Sequence, residues 1–240
     1  YLLCRFNLTA VVASYVNQSA LLCVSPPLRM PSGGTAAARV GRVPLEVSNN
    51  AADFSSSGIQ FEYVEAVIIR SIFPTMGVAG GGELVQVSGH GFLPGSRLLC
   101  AFGGAQVAAT FLSSVSLRCA APPRAESDTV ALEVSVNGGA DMSQSLVPFS
   151  YHPHVAVESV APPVGPTVGG TIVAVSGDHF VPSLMLKCRF GRTEAVGVFV
   201  SSTRVNCTVP PSQPGDVALE VSINGVSFSN SSVAYRYHVA

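Results

Sequence analysis

The chain has 240 residues, a net charge of −1, 48% hydrophobic residues and only 11% charged ones. So weak a charge excludes long-range attraction to nucleic acid or to an anionic membrane surface. The apolar content fills several small cores, yet no apolar run approaches the ~18 residues of a membrane span. Neither a nucleic-acid partner nor direct membrane insertion of this stretch is expected.

Taken in order, the chain opens on Leu2-Leu3-Cys4-Arg5-Phe6-Asn7, followed by Leu21-Leu22-Cys23 and Pro26-Pro27. The same two motifs return at residues 98–103 with 117–123, and again at 186–191 with 205–211. Six cysteines thus fall into three pairs at a constant offset of 19 positions. One pair per repeat at fixed spacing predicts one disulfide per domain: Cys4–Cys23, Cys100–Cys119 and Cys188–Cys207. Residues 67–119 match 155–207 without a gap, with Pro74/Pro162, Gly77/Gly165, Gly81/Gly169 and Phe92/Phe180 in register. Tyr1-Leu2-Leu3-Cys4 aligns with Arg97-Leu98-Leu99-Cys100, so the chain begins inside a repeat. The expected division is a partial domain over residues 1–65 and complete domains over 66–153 and 154–240.

Within each repeat the apolar residues alternate, the period of a β-strand. Leu98, Cys100 and Phe102 share one face, as do Leu186, Cys188 and Phe190, which points the cysteines at a core. Val130, Leu132, Val134 and Val136 alternate likewise and run into Asn137-Gly138; Val217, Leu219, Val221 and Ile223 run into Asn224-Gly225. Asn-Gly after a strand predicts a tight hairpin turn with both residues at positive φ. A closing strand carries Phe149 and Tyr151, Tyr235 and Tyr237, or Phe61 and Tyr63. No stretch has a capped 3.6-residue period. The fold class is therefore all-β: tandem immunoglobulin-like β-sandwiches with the first one incomplete. Only His152-Pro153-His154 and Val64-Glu65-Ala66 separate successive repeats, so the array is expected to be semi-rigid.

Paired cysteines favour an oxidising compartment. Asn-x-Ser/Thr sequons at Asn7, Asn17, Asn206 and Asn230 are candidate N-glycosylation sites. Both signals point to the extracellular space or the cell surface.

No catalytic constellation emerges, and neither a cofactor nor an enzymatic activity is expected. Gly80-Gly81-Gly82 precedes a strand instead of a helix, which makes it a turn and not a phosphate cradle. Ser176, Asp178 and His179 suggest a triad, but neighbours at a strand end rarely converge. His152 and His154 lack further metal ligands, and Asp53, Asp128, Asp141, Asp178 and Asp216 are isolated turn residues. The first repeat carries extra length in residues 28–42, including Arg29-Met30-Pro31-Ser32-Gly33-Gly34-Thr35, where either a partner-binding loop or neutral loop growth fits.

The order Pro74, Gly77, Gly81-Gly82, Val85, Val87, Gly89, Phe92, Cys100-Ala101-Phe102-Gly103, Cys119, Pro122-Pro123, Asn137-Gly138 and Phe149-Ser150-Tyr151 resembles the IPT/TIG domain (immunoglobulin-like, plexin, transcription factor). The third repeat matches through Tyr237; the first departs at Phe6-Asn7, where the others have Phe-Gly, and at Asn49-Asn50. The resemblance implies an E-set-like immunoglobulin sandwich. Such families include intracellular DNA-binding members and extracellular ones in receptors, fibrocystin-like ciliary proteins and microbial surface proteins. The cysteine-bearing form here resembles the extracellular branch. What it implies is a non-enzymatic structural or adhesive protein, its sandwiches acting as spacers and protein-interaction modules in a surface filament or large ectodomain. Partners would be other proteins or copies of itself, met through loops and edge strands, with a ciliary or flagellar surface among the implied locations. The alternative is a plexin-like or fibrocystin-like receptor ectodomain that binds a protein ligand. An accessory module of a secreted carbohydrate-active enzyme is a further alternative. A DNA-binding factor is disfavoured by charge, cysteines and sequons.

Overall fold

The structure, a computed structural model, describes residues 1–28, 41–94, 97–231 and 233–239. The extra stretch Arg29-Met30-Pro31-Ser32-Gly33-Gly34-Thr35 lies outside the described residues. Every regular element among them is a strand. The chain divides into two compact units, Tyr1–Ala66 and Val67–Ala240.

The first unit is one sheet in the order β3-β2-β1-β4-β5, from β1 (Leu3–Phe6), β2 (Thr9–Asn17), β3 (Ala20–Cys23), β4 (Gly41–Ser48) and β5 (Gln60–Tyr63). The second unit holds two full repeats. One comprises β6 (Ile68–Phe73), β7 (Met76–Val78), β8 (Leu84–His90), β9 (Leu99–Phe102), β10 (Ala105–Ser113), β11 (Ser116–Ala120), β12 (Thr129–Ser135) and β13 (Val147–His152). The other repeats it as β14 (Ala156–Ala161), β15 (Val164–Pro166), β16 (Ile172–Asp178), β17 (Lys187–Phe190), β18 (Thr193–Ser201), β19 (Arg204–Thr208), β20 (Gly215–Ser222) and β21 (Ala234–His238). Strand order is β6-β8-β11-β10-β9-β12-β13-β7 and its exact counterpart in the last repeat. The first unit has no counterpart of β6, β7 and β8 among the described residues.

The long strand β10 belongs to both layers of its sandwich. Residues 105–108 pair with β9, and residues 109–113 pair with β11. Cys100 lies opposite Val107 and Cys119 opposite Ala109, so their disulfide crosses the layers at the point where β10 changes sheet. β18 and β2 behave identically, with Cys188–Cys207 and Cys4–Cys23 in place. The Cα–Cα separations of 6.4, 6.3 and 6.3 Å fall inside the range a disulfide spans. A small residue, Ala13, Ala109 or Gly197, sits opposite the second cysteine each time.

Aromatic residues close each core. Phe102, Phe149 and Tyr151 stack edge to face, as do Phe190, Tyr235 and Tyr237, and Phe6, Phe61 and Tyr63. The Tyr237 hydroxyl donates to the Pro210 carbonyl at 2.8 Å, and Tyr63 to Pro26 at 2.8 Å. This gives the Pro-Pro motif and the last aromatic a joint role. Opposite them, Gly81 turns at φ 76° with no room for a side chain: a Cβ would lie 2.6 Å from the Pro123 nitrogen. Gly80-Gly81-Gly82 is thus a turn packed beneath the prolines.

The Asn-Gly pairs do not form two-residue hairpins. Asn137 and Asn224 keep negative φ, and only the following glycines are positive. β12 and β13 do pair antiparallel, but across a loop of residues 136–146. The reason is that each asparagine folds its side chain back onto the loop's own backbone, as an Asx turn at Asn224 and through the Asp141 amide four residues on at Asn137, and either bond competes with a type I′ turn.

Two outcomes test this account. Non-reducing peptide mapping should recover only the three within-repeat disulfides, and reduction should cost about 2–5 kcal/mol per sandwich. Tyr237→Phe should lose about 1 kcal/mol, whereas Tyr151→Phe, whose buried hydroxyl has no partner among the described residues, should cost less. Burial, with Tyr235 nearby, pushes the Tyr237 phenol up to about 12 from its ordinary 10.0. Its neutral form is favoured by the fold, so that contribution is complete below pH 10 and lost as pH rises through about 12; urea denaturation across that window reads it, and the Tyr237→Phe protein should lack this component.

Candidate functional site

The second and third repeats, both within the second unit, meet at Glu83. It follows the Gly81-Gly82 turn just before β8 and is only 6% exposed. One carboxyl oxygen accepts from the Asn224 side-chain amide at 2.9 Å and from the Ser227 hydroxyl at 2.8 Å. The same Asn224 amide donates to the Met76 carbonyl at 3.0 Å, and Met76 packs against the third repeat's core. Gly77 makes the approach feasible, since a Cβ there would lie 2.9 Å from Glu83 Cβ and 3.0 Å from the Phe149 ring. A cleft of about 260 Å³ opens beside these groups, lined by Gly82, Glu83, His154, Ile223, Asn224 and Phe228 among others.

Asn224 is aimed by its own loop. Its Oδ1 accepts from the backbone of Val226 at 3.0 Å and Ser227 at 2.9 Å, leaving the NH2 to point outward. Asn50 builds the same turn and Asn137 a wider one closed by the Asp141 backbone amide, but their side-chain amides donate to Asp53 and Asp141 of the same loop, both at 2.8 Å. The third repeat has Ser227 in this region and no loop acid on Asn224; the acid comes from the preceding repeat. Behind the loop, Arg189 binds Glu220 and stacks over Phe228 at 4.0 Å, while Arg5, Glu46 and Phe54 repeat that cluster in the first unit.

Further along the junction, burial holds the His152 imidazole below its ordinary range. His179, at φ 66°, places its Nδ1 2.9 Å from the His154 carbonyl, so its ring serves the backbone and joins no triad with Ser176 and Asp178. Asp128 pairs with Arg124 and Asp216 with Arg236, both at the surface. Among the described residues no group of three or more His, Cys, Asp or Glu could hold a metal ion, and no helix is long and apolar enough to cross a membrane.

Of the four sequons, Asn7, Asn17 and Asn230 are exposed. Asn7 occupies the positive-φ turn (55°) filled elsewhere by Gly103 and Gly191, which explains the Phe6-Asn7 departure: asparagine tolerates that conformation. Asn206 is half-buried in the middle of β19.

The structure brings together residues that sequence reasoning did not single out: Glu83, Asn224, Ser227 and Met76. A signal existed in the repeat alignment, since Glu83 stands where the third repeat has Thr171, and the third Asn turn is the one with no acid of its own. Glu83→Ala strands an amide and a hydroxyl at a buried junction. It should cost about 1–3 kcal/mol and speed hydrogen exchange at the Val226 and Ser227 amides, while Glu83→Gln should retain most of the protection.

A family model described as the IPT/TIG domain matches residues 67–151 and 156–237. Human (Homo sapiens) fibrocystin-L is 33% identical over 145 residues, 58% of this chain and 3% of that protein. Human plexin-A2 is 26% identical over 238 residues, 91% of this chain and 12% of that protein. The solved extracellular region of plexin A4 overlays 82% of this chain and 18% of that one, with 15% identity and a TM-score of 0.48. The chain thus spans a small share of the curated relatives it matches. The ranges matched by the family model contain the elements that build the fold: the cysteine pair, the Gly-Gly turn beneath the prolines, and the closing tyrosine. With the family model matching well over half of its length, the chain belongs to the IPT/TIG domain family.

Proposed function

We propose that the chain is part of an extracellular, non-enzymatic structural or adhesive protein. Its tandem sandwiches serve as semi-rigid spacers and protein-interaction modules in a surface filament or a large ectodomain. The observation that carries this reading is the Glu83 junction. Two hydrogen bonds to a buried carboxyl group, a third to the Met76 carbonyl and the packing of Met76 all restrain one sandwich against the next. A three-residue connection containing Pro153 adds few soft dihedrals. Cysteines bonded within each repeat and sequons at Asn7, Asn17, Asn206 and Asn230 support an oxidising, glycosylating route to the cell surface. Partners are other proteins or further copies, met through loops and edge strands.

A second reading, the ectodomain of a plexin-like receptor that binds a protein ligand, is favoured by the plexin-A2 alignment over 91% of the chain. The two readings differ in what they ask of the junction. A spacer needs one fixed angle, whereas a receptor that signals by bending needs compliance. Small-angle scattering on residues 67–240, which form one compact unit, separates them. The spacer reading expects a single narrow conformation that broadens in Glu83→Ala; a broad distribution of angles in the unmodified protein moves the assignment to the receptor.

A further inference from the structure

The outer face of the third repeat is apolar through its centre, where the second repeat is polar. Val196, Val198 and Val200 alternate along β18 and are 75%, 60% and 50% exposed; Ile172 on β16 is 67% exposed. In the second repeat the matching residues are Ala108, Thr110 and Leu112 on β10 and Leu84 on β8, of which Leu112 and Leu84 are exposed too, so the difference lies at the centre. The centre of that face is polar, with Thr110 opposite Arg118 and Arg118 opposite Gln86. In the third repeat the same three places hold Val198, Asn206 and Ala174, paired in the same register. The residue at the centre of the bare apolar face is therefore the asparagine of the sequon Asn206-Cys207-Thr208. Its neighbours Val205 and Cys207 point into the core, so Asn206 faces outward, and its side-chain amide makes no hydrogen bond among the described residues. On the equivalent face of the first repeat Val12, Val16 and Leu22 are exposed, with Ser14 in the place of Val198, and the sequon asparagine Asn17 ends β2. The second repeat, whose centre holds Thr110, Arg118 and Gln86, has no sequon.

We infer that an N-glycan on Asn206 covers this face, its innermost N-acetylglucosamine lying on Val196, Val198 and Val200. This rests on the secretory-route reading above and deepens it from a list of acceptor sites to a structural role for one of them. In the transfer, Asn206 Nδ2 forms a bond to C1 of the reducing-end N-acetylglucosamine of a lipid-pyrophosphate-linked oligosaccharide. The bond from C1 to the pyrophosphate oxygen breaks, the amide gives up one proton, and the lipid pyrophosphate leaves. Directly opposed residues on paired strands have Cβ atoms about 5 Å apart, and diagonal neighbours about 7–8 Å. A pyranose attached at Asn206 thus reaches Val198, directly opposite, without a long spacer, with Val196, which pairs with β17, and Val200, at the β18 bulge, to either side along the strand; its C–H face suits aliphatic side chains. Monomeric proteins rarely leave larger contiguous apolar patches bare, which supplies the reason for a sugar here. Because Asn206 is backbone-paired on both sides, transfer precedes closure of β19 between β16 and β18.

The test uses the full chain secreted from animal cells. Peptide mass spectrometry reads occupancy at Asn206, and a dye that fluoresces on apolar surface reads the face. Asn206 should be occupied. Asn206→Gln and Thr208→Ala, which remove the same glycan by different changes, should each raise dye fluorescence about two-fold or more, as bare apolar area would. Asn230→Gln, which removes a glycan elsewhere, should not. Replacing Val196, Val198 and Val200 together by threonine in the Asn206→Gln protein should abolish the increase. Should the variants fail to fold, trimming the folded wild-type glycans to a single N-acetylglucosamine should leave fluorescence unchanged, and complete enzymatic removal should raise it. An unoccupied Asn206 overturns the modification itself. Occupancy with no dye response to its loss overturns the covering role and leaves the secretory reading standing.

Discussion

Each repeat depends on one strand that serves two sheets. In β10 and β18 the switch occurs between residues opposite the two cysteines, so the disulfide clamps the layers where the shared strand must bend from one to the other. The bridge closes 19 positions of chain, a loop for which the entropic stabilisation is about 3 kcal/mol. In a sandwich of under a hundred residues that is a large share of the whole stability. The surrounding choices follow from it. A small residue lies opposite the second cysteine, alternation buries the strand on its inner side, and the aromatic stack fills the space that remains.

With the layers clamped, the ends of the sandwich are free to vary, and the junction shows how little variation is needed. All three repeats fold an asparagine side chain onto the loop after the strand that pairs with the first cysteine's strand. In two of them the asparagine amide is satisfied by an aspartate in the same loop. In the third it is satisfied by Glu83 of its neighbour. Moving one carboxyl group from a loop to the adjacent domain converts an internal hydrogen bond into an interdomain one. The burial of Glu83, against the half-exposed Thr171 at the matching place, is the consequence.

Ends and faces therefore have separate tasks. The loop end carries the contact to the next sandwich, where polar partners must be matched one by one because an unmatched group in a buried junction is costly. The outer sheet face carries no such contact within the second unit, and there the chain differs from repeat to repeat between a polar centre and an apolar one.

Much of the fold was legible from residues alone. The repeat spacing, the alternation around each cysteine and the final aromatics specify strands, core faces and cysteine pairs, because period-2 burial and covalent pairing leave local marks. The Gly-Gly turn was also legible, although its reason, the prolines packed against it, was not. The Asn-Gly turns were misjudged: their side chains compete for the backbone, and that competition depends on serines and aspartates further along the loop. Glu83 carries no local mark, because a single acid at the head of an alternating strand resembles any solvent-facing residue. What makes it a junction is the approach of a loop 141 positions away, over the space left by Gly77. The exposed row around Asn206 likewise needs the register of three strands, two of them far apart in sequence. Local periodicity determines which residues face inward; only tertiary packing decides which outward-facing residues meet a neighbour.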